Sequence, residues 1–214
     1  MTCGKALLTV VVLLCGSAVA SAQGSDAGAG KLEAGFFPGG GTFFVSGDDD
    51  LEVNFNTFNV GGYASWYLNR LLATEGEIGF GIGLAQDVSY RNRVVRHVQV
   101  PGTVNFNGNV VVFPMGSDRL IASYVTGGGG LLMLRNRVST RQFGLTESES
   151  FFATNVGGGL KILRAGTGLK RWGARIDYRI FSVKGKDDAV EFFAKSKTRM
   201  GHRIYVGFLY TLTR

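Results

Sequence analysis

The sequence predicts an all-β protein, an eight-stranded antiparallel up-and-down transmembrane β-barrel. Three observations support this prediction. Apolar residues alternate with polar or small ones along most of the chain, which is typical of strands between two unlike environments. The chain begins with an export signal, after which no apolar run is long enough for a membrane helix. Short and long connecting segments also alternate between the strands.

The N-terminus is predicted to be a cleavable signal peptide. Lys5 provides the positive start, residues 6–15 the apolar run, and residues 20–22 an A-x-A cleavage site. The alternative, a membrane helix, requires about 18 to 20 apolar residues, more than this run contains. The predicted organisation is a signal peptide at 1–22, a flexible leader at 23–30 and one barrel domain at 31–214.

The composition of the chain argues against several kinds of functional site. Both cysteines, Cys3 and Cys15, lie in the signal peptide, so the mature chain offers no disulfide, thiol nucleophile or cysteine metal ligand. The net charge of +7 would suit a nucleic-acid partner, but export argues against one. Because the sequence contains neither a nucleotide-binding loop nor a metal-ligating constellation, we expect no cofactor and no metal, and because the chain is exported we expect no nucleic acid.

The first four strands follow from the alternation. The first, 31–45, is the least regular, because Pro38 and three glycines interrupt it. The second, 54–68, sets aromatic and aliphatic residues against asparagine, glycine and serine, and the third, 71–84, sets aliphatic residues against glutamate and glycine. The fourth ends at Pro114 and has the clearest pattern, with valine, phenylalanine and glycine opposite asparagine within 104–112.

The last four strands are expected at 119–134, 151–163, 170–183 and 201–212. Most of the eight have the length of about 9 to 11 residues that a tilted membrane strand requires. Unpaired backbone groups at a sheet edge would each cost several kcal/mol in hydrocarbon, so the eighth strand must pair with the first.

The connections predict the orientation in the membrane. Short turns are expected at 69–70, 115–118 and 165–168, and longer loops at 46–52, 86–101, 136–149 and 184–200. Outer-membrane barrels have short periplasmic turns and long external loops, so both termini are expected in the periplasm.

Even-numbered residues are expected to meet lipid in six of the eight strands, because they include most of the large apolar side chains. A soluble barrel such as a lipocalin has the opposite arrangement and is the alternative. Six charged residues share the odd-numbered face and are predicted to fill the narrow interior as an ion-pair network: Glu75, Glu77, Lys161, Arg175, Asp177 and Arg179. An acid/base role for the two glutamates is the alternative.

Five stretches rich in glycine and aromatic residues follow one another along the chain: GGYASWYL (Gly61–Leu68), YVTGGGGL (Tyr124–Leu131), NVGGGLK (Asn155–Lys161), WGARIDYR (Trp172–Arg179) and YVGFLY (Tyr205–Tyr210). In this order and spacing they resemble the small OmpA-like outer-membrane β-barrel family, and the resemblance covers nearly all of the mature chain.

The resemblance implies a bacterial outer membrane, with outer-membrane lipids around the barrel and the barrel assembly machinery as a partner during biogenesis. Family roles range from structural proteins to adhesins, porin-like proteins and a few enzymes. Members related to OmpA proper continue into a peptidoglycan-binding domain, which we do not expect here because the sequence stops at Arg214. We expect a monomer.

The outer loops are predicted to form a basic rim, opposed in the first loop by three aspartates at 48–50. Cations at the headgroup level pair with lipopolysaccharide phosphates or acidic surface polymers, and simple solvated charge is the alternative. We therefore expect a structural or surface-binding protein without catalytic activity. The rim residues are Arg91, Arg93, Arg96, Arg137, Arg141, Lys184, Lys186, Lys195, Lys197 and Arg199.

Two other functions remain alternatives. The first is a narrow small-solute channel, which requires a continuous water path through the interior. The second is a lipid A-modifying acyl hydrolase, since a deacylase of similar architecture uses a serine and a histidine on the lipid-facing side. Ser182 and His202 share that orientation here, although the His-x-Ser spacing of that enzyme is missing. His97 lies among arginines without a nearby serine and is interpreted as a solvated loop residue.

Overall fold

The structure is a computed structural model that describes residues 29–45, 54–90, 93–135, 149–164, 171–185 and 198–212, without the side chains of residues 89, 90, 93, 95, 98, 149 and 171. The predicted signal peptide at 1–22 and residues 23–28 of the leader lie outside the described residues. The strands are β1 Leu32–Val45, β2 Phe55–Tyr67, β3 Leu72–Gly83, β4 Ala85–Tyr90, β5 Arg93–Gln99, β6 Gly102–Val112, β7 Ile121–Arg135, β8 Glu149–Leu163, β9 Arg171–Lys184 and β10 Thr198–Leu212.

Eight strands close into an antiparallel barrel in the order β1, β2, β3, β6, β7, β8, β9 and β10. The first and last strands pair along most of their length, with Leu32 opposite Leu212 and Phe43 opposite His202. The predicted fold class is therefore confirmed. Within the described ranges there is no helix long and apolar enough to cross a membrane.

The barrel is apolar outside, and charged side chains fill the middle of its interior. Large apolar side chains on the outer surface are widely exposed, among them Trp66 at 60% and Phe208 at 63%, whereas Arg175 and Arg179 inside are 0% exposed. The outward face is even-numbered in β2, β3, β6, β8, β9 and β10, as predicted, and odd-numbered in β7. This arrangement is the reverse of a soluble barrel with an apolar interior.

A β-bulge divides β1 and exchanges its faces. The pairing of β1 with both neighbours shifts register within residues 36–41. Glu33 is buried inside the barrel before the bulge and Phe44 after it, so the inward face changes from odd to even numbers. Gly40 approaches β10 so closely that an added Cβ would stand 2.4 Å from the Ile204 carbonyl oxygen. Gly40 therefore allows the close contact between β1 and β10 that closes the barrel at this point.

The segment 86–101, predicted to be a loop, contains the hairpin of β4 and β5, so that prediction is wrong. Gln86 attaches the hairpin to the barrel, because its side chain accepts from Asn56 N at 3.0 Å and donates to Asn56 O at 2.8 Å. Gln99 Nε2 donates to the Gly83 carbonyl at 2.7 Å. Polar and charged residues occupy most positions of this segment, so apolar alternation did not indicate strands.

Candidate functional site

Three layers of side chains fill the barrel. Aromatic and aliphatic clusters lie towards the short turns, and charged side chains fill the middle. Apolar side chains return at the end that carries the long loops. The charged layer contains the residues singled out in the sequence and is the candidate site.

Charged residues of β3 and β9 meet across the barrel. The two strands lie four positions apart in either direction round the sheet, so their inward side chains face each other. Arg175 binds Glu75 at 2.5 Å and Asp177 at 2.7 Å. Arg179 binds the same two carboxylates at 2.7 and 2.9 Å and reaches Glu77 at 3.3 Å. The structure thus brings five of the six predicted network residues into one cluster.

The sixth predicted residue, Lys161, lies in a separate cluster nearer the short turns. Its ammonium group is 2.5 Å from Glu33 and donates to the Tyr67 hydroxyl at 3.0 Å. The Tyr67 hydroxyl in turn donates to Glu33 at 2.8 Å. Sequence reasoning missed Glu33, although its odd number ahead of the bulge was a signal for the inward face.

Arg203 makes a second contact that sequence reasoning missed. Its guanidinium binds both oxygens of Glu77, at 2.6 and 2.8 Å. Asn105 and Asn107 of β6 donate to the same carboxylate at 3.2 and 3.3 Å. The asparagines that alternate so clearly in the sequence therefore serve as interior hydrogen-bond partners of the network.

Tyrosines complete the surroundings of Arg175. Its guanidinium carbon lies 4.3 Å from the centre of the Tyr63 ring and 4.6 Å from that of Tyr124. The Tyr124 hydroxyl accepts from Arg175 Nε at 2.6 Å and donates to Asp177 at 2.6 Å. A buried charge is destabilising unless it is paired and hydrogen-bonded, and here every member of the cluster has several partners. This arrangement favours a structural role over acid/base chemistry.

Apolar side chains close the interior at the long-loop end. The layer draws on β1, β2, β7, β8 and β9 and includes Val88 of the hairpin and Val100. Between this layer and the ion pairs lies a cavity of about 20 Å³ beside Thr103, Phe181 and Arg203. That volume has room for about one water molecule. Charged and apolar layers therefore stand in series along the interior.

The described residues include only part of the predicted basic rim. Arg96 on β5 and Lys184 at the end of β9 are exposed. Arg199 is only 1% exposed, so its prediction as a rim residue is wrong. The strand β10 begins at Thr198, earlier than predicted, and its alternation turns residue 199 inward. Arg93 is described by its backbone alone, and the rim residues outside the described ranges are Arg91, Arg137, Arg141, Lys186, Lys195 and Lys197.

Ser182 and His202 lie on the outer surface of neighbouring strands without bonding each other. Ser182 stands opposite Met200, and His202 stands opposite Ile180. His202 Nδ1 is 2.7 Å from the Tyr178 hydroxyl, and no hydrogen bond links this histidine to Ser182 among the described residues. Nor does the described part of the chain hold a group of three His, Cys, Asp or Glu side chains placed to bind a metal ion.

No protein-family model matches the sequence, and no curated protein matches it. Among solved structures, the N-terminal β-barrel domain of Pseudomonas aeruginosa OprF matches with a TM-score of 0.50 and 13% sequence identity, over 85% of this chain and 98% of that one. The chain has the fold of the small outer-membrane β-barrels.

Two further small outer-membrane barrels match with lower scores. Ail, the attachment invasion locus protein of Yersinia pestis, has a TM-score of 0.48 and 13% identity, over 86% of this chain and 99% of its own. OprG from Pseudomonas aeruginosa has a TM-score of 0.47 and 10% identity, over 88% and 98%. The match to the OprF barrel and the closed eight-stranded sheet confirm the resemblance found in the sequence at the level of the small outer-membrane barrel fold.

Proposed function

We propose that this chain is an integral β-barrel of a bacterial outer membrane with a structural or surface-binding role and no catalytic activity. The inverted distribution of polarity supports the proposal most strongly, because a belt of exposed apolar residues surrounds a buried, ion-paired interior. In water such a belt would promote aggregation, whereas in a bilayer it meets hydrocarbon. Exposed Trp66, Trp172 and Tyr210 near the short turns are typical of a membrane interface.

Insertion into lipid tests the membrane placement. The mature chain, 23–214, diluted from urea into phosphatidylcholine vesicles, is expected to become protease-resistant. The change Ile176→Arg puts a charge on the apolar belt and should lower the free energy of unfolding by roughly 2–4 kcal/mol, while Thr198→Arg at the strand end should cost at most about 1 kcal/mol. A chain that folds as a soluble monomer without lipid or detergent would contradict the placement.

The surface-binding role rests on the basic outer loops. Arg96 and Lys184 are exposed there, and the sequence adds three lysines in the fourth loop. Arginine and lysine at the headgroup level form charge-assisted hydrogen bonds with phosphate. Replacing Lys186, Lys195 and Lys197 by glutamine is expected to weaken lipopolysaccharide binding and detergent resistance. If both stayed unchanged, the surface-binding role would fail.

Neither alternative function gains support from the geometry. The charged and apolar layers in series oppose a small-solute path. The His202 ring pairs with the Tyr178 hydroxyl at 2.7 Å, which suits an interfacial anchor. Lipid A acylation that differs between wild type and His202→Ala would favour the hydrolase instead.

A further inference from the structure

Three exposed arginines lie at the short-turn end of the barrel. Arg70 is in the turn between β2 and β3, Arg119 in the turn between β6 and β7, and Arg164 directly after β8. We call these three residues the arginine rim. They lie at the opposite end of the barrel from the basic loops considered above.

Backbone hydrogen bonds join the turns and the strand end that carry the arginine rim. The N–H of Ser117 donates to the Arg70 carbonyl at 2.8 Å, which joins the first turn to the second. The N–H of Leu163 donates to the Leu120 carbonyl at 2.7 Å, which joins the second turn to the end of β8. Arg164 N donates onward to β9 at 2.9 Å. The three arginines therefore follow one arc of the barrel end.

Exposed apolar side chains lie between the arginines along this arc. Leu68 is 49% exposed, Met115 59% and Leu120 56%. The guanidinium of Arg164 lies over the Trp172 ring, 5.1 Å from its centre. At a bilayer boundary such turns place their apolar side chains among acyl chains and their cations among phosphates. This mixture fits an interface with lipid better than it fits free solvent.

The charge of the arginine rim is not balanced by its own turns. The described residues of these turns contain three arginines and one carboxylate, Asp118. The ion pairs found among the described residues do not include these three arginines. The interior cations differ, because Lys161 and Arg175 each bind a carboxylate at 2.5 Å. Arginine presents a planar fork of donors that matches phosphate oxygens, so the charge and geometry favour a phosphate ligand.

We propose that the arginine rim binds the headgroups of anionic phospholipids in the leaflet around the short-turn end. The proposal rests on the membrane placement proposed above, and it adds the class of lipid and the residues that select it. The neighbouring apolar side chains favour a lipid over a soluble phosphate, because acyl chains would cover Leu68, Met115 and Leu120.

Native mass spectrometry of the folded mature chain in detergent micelles tests this proposal, with phosphatidylglycerol and phosphatidylcholine of the same acyl chains as probes. Wild type is expected to prefer phosphatidylglycerol. In the triple variant R70Q/R119Q/R164Q, the ratio of the affinities for phosphatidylglycerol and phosphatidylcholine should fall by roughly fivefold for each arginine removed. A factor of about five corresponds to about 1 kcal/mol for each cation near an anionic surface. As a matched pair, Arg119→Gln alone should weaken the preference about fivefold, whereas Arg135→Gln, at the other end of the barrel and outside the basic rim, should keep it.

Equal binding of the two lipids by wild type, or an undiminished preference in the triple variant, would overturn the proposal. Displacement of the lipid by soluble glycerophosphoglycerol would also overturn it, because it would indicate a site for free phosphate. Each variant is first checked for insertion into phosphatidylcholine vesicles, so these results leave the membrane placement intact. Failure of wild type to insert would contradict the placement instead.

Discussion

At the scale of single residues, the interior charges share partners. Glu75 binds Arg175 and Arg179 and also accepts from the Ser65 hydroxyl at 3.0 Å. Removing one member of such a buried group leaves the others without compensation, which destabilises a fold by about 3–5 kcal/mol. Removing two partners together leaves less uncompensated charge.

Glu75→Gln is therefore expected to lower the free energy of unfolding by about 3–5 kcal/mol, measured by urea titration in vesicles. The double change Glu75→Gln with Arg175→Met should cost less than the sum of the two single changes. Thr74→Val is the matched control, since residue 74 is adjacent in sequence but points outward. A loss below about 0.5 kcal/mol for Glu75→Gln would show that the cluster does not stabilise the barrel.

At the scale of the strand, β1 closes the barrel through a bulge that leaves no room for a side chain at one point. A Cβ on Gly40 would lie 2.4 Å from the Ile204 carbonyl oxygen and 2.6 Å from Tyr205 Cβ. By contrast, a Cβ on Gly76 of β3 would meet nothing within 4 Å. Substituting each of the two glycines therefore distinguishes the destabilisation caused by crowding at Gly40 from the general effect of replacing a glycine in a strand.

Gly40→Ala is expected to destabilise the barrel by about 1–3 kcal/mol, because β1 and β10 must move apart to admit the methyl group. Gly76→Ala should be neutral or stabilise by up to about 1 kcal/mol, because it removes conformational freedom from the unfolded chain. Urea unfolding of both variants in the same vesicles compares them directly. Equal effects of the two substitutions would mean that the close contact at Gly40 is unimportant.

At the scale of the whole molecule, the charged and apolar layers in series predict a closed interior. Wild type is expected to show no discrete conductance in planar phosphatidylcholine bilayers. The double variant L132S/F151S loosens only the apolar layer and should also stay closed, because the ion pairs remain across the barrel. Protease resistance verifies insertion of both proteins. Steady conductance in either one would show that the layers do not block ions.

Local alternation predicts the strands and their faces, and the cost of an open edge predicts closure. The same alternation places Glu75, Glu77 and Arg175 on one face, so their presence in the interior could be predicted. Which carboxylate each arginine binds could not, because contacts across a barrel depend on strand tilt and register. The pairing of Arg203 with Glu77 is of this kind.

The other differences between the sequence-based predictions and the structure arise where the alternation of apolar and polar residues is irregular or where a strand begins earlier than predicted. Glu33 lies on the one strand whose faces exchange at a bulge. Arg199 turns inward because β10 begins earlier than its clearest alternation. The apolar layer that contains Phe151 and Leu132 was not predicted, because the alternation indicates a polar interior along the whole barrel.

The interior contacts between distant parts of the chain couple assembly to the last strands. Lys161 follows its partner Glu33 by 128 residues, and Arg203 follows Glu77 by 126. The N-terminal strands therefore hold carboxylates whose cationic partners arrive only with β8, β9 and β10. Such carboxylates resist leaving water until they are neutralised. We therefore expect closure of the sheet and dehydration of its interior to occur together, so that a chain without β10 does not reach a dry folded state.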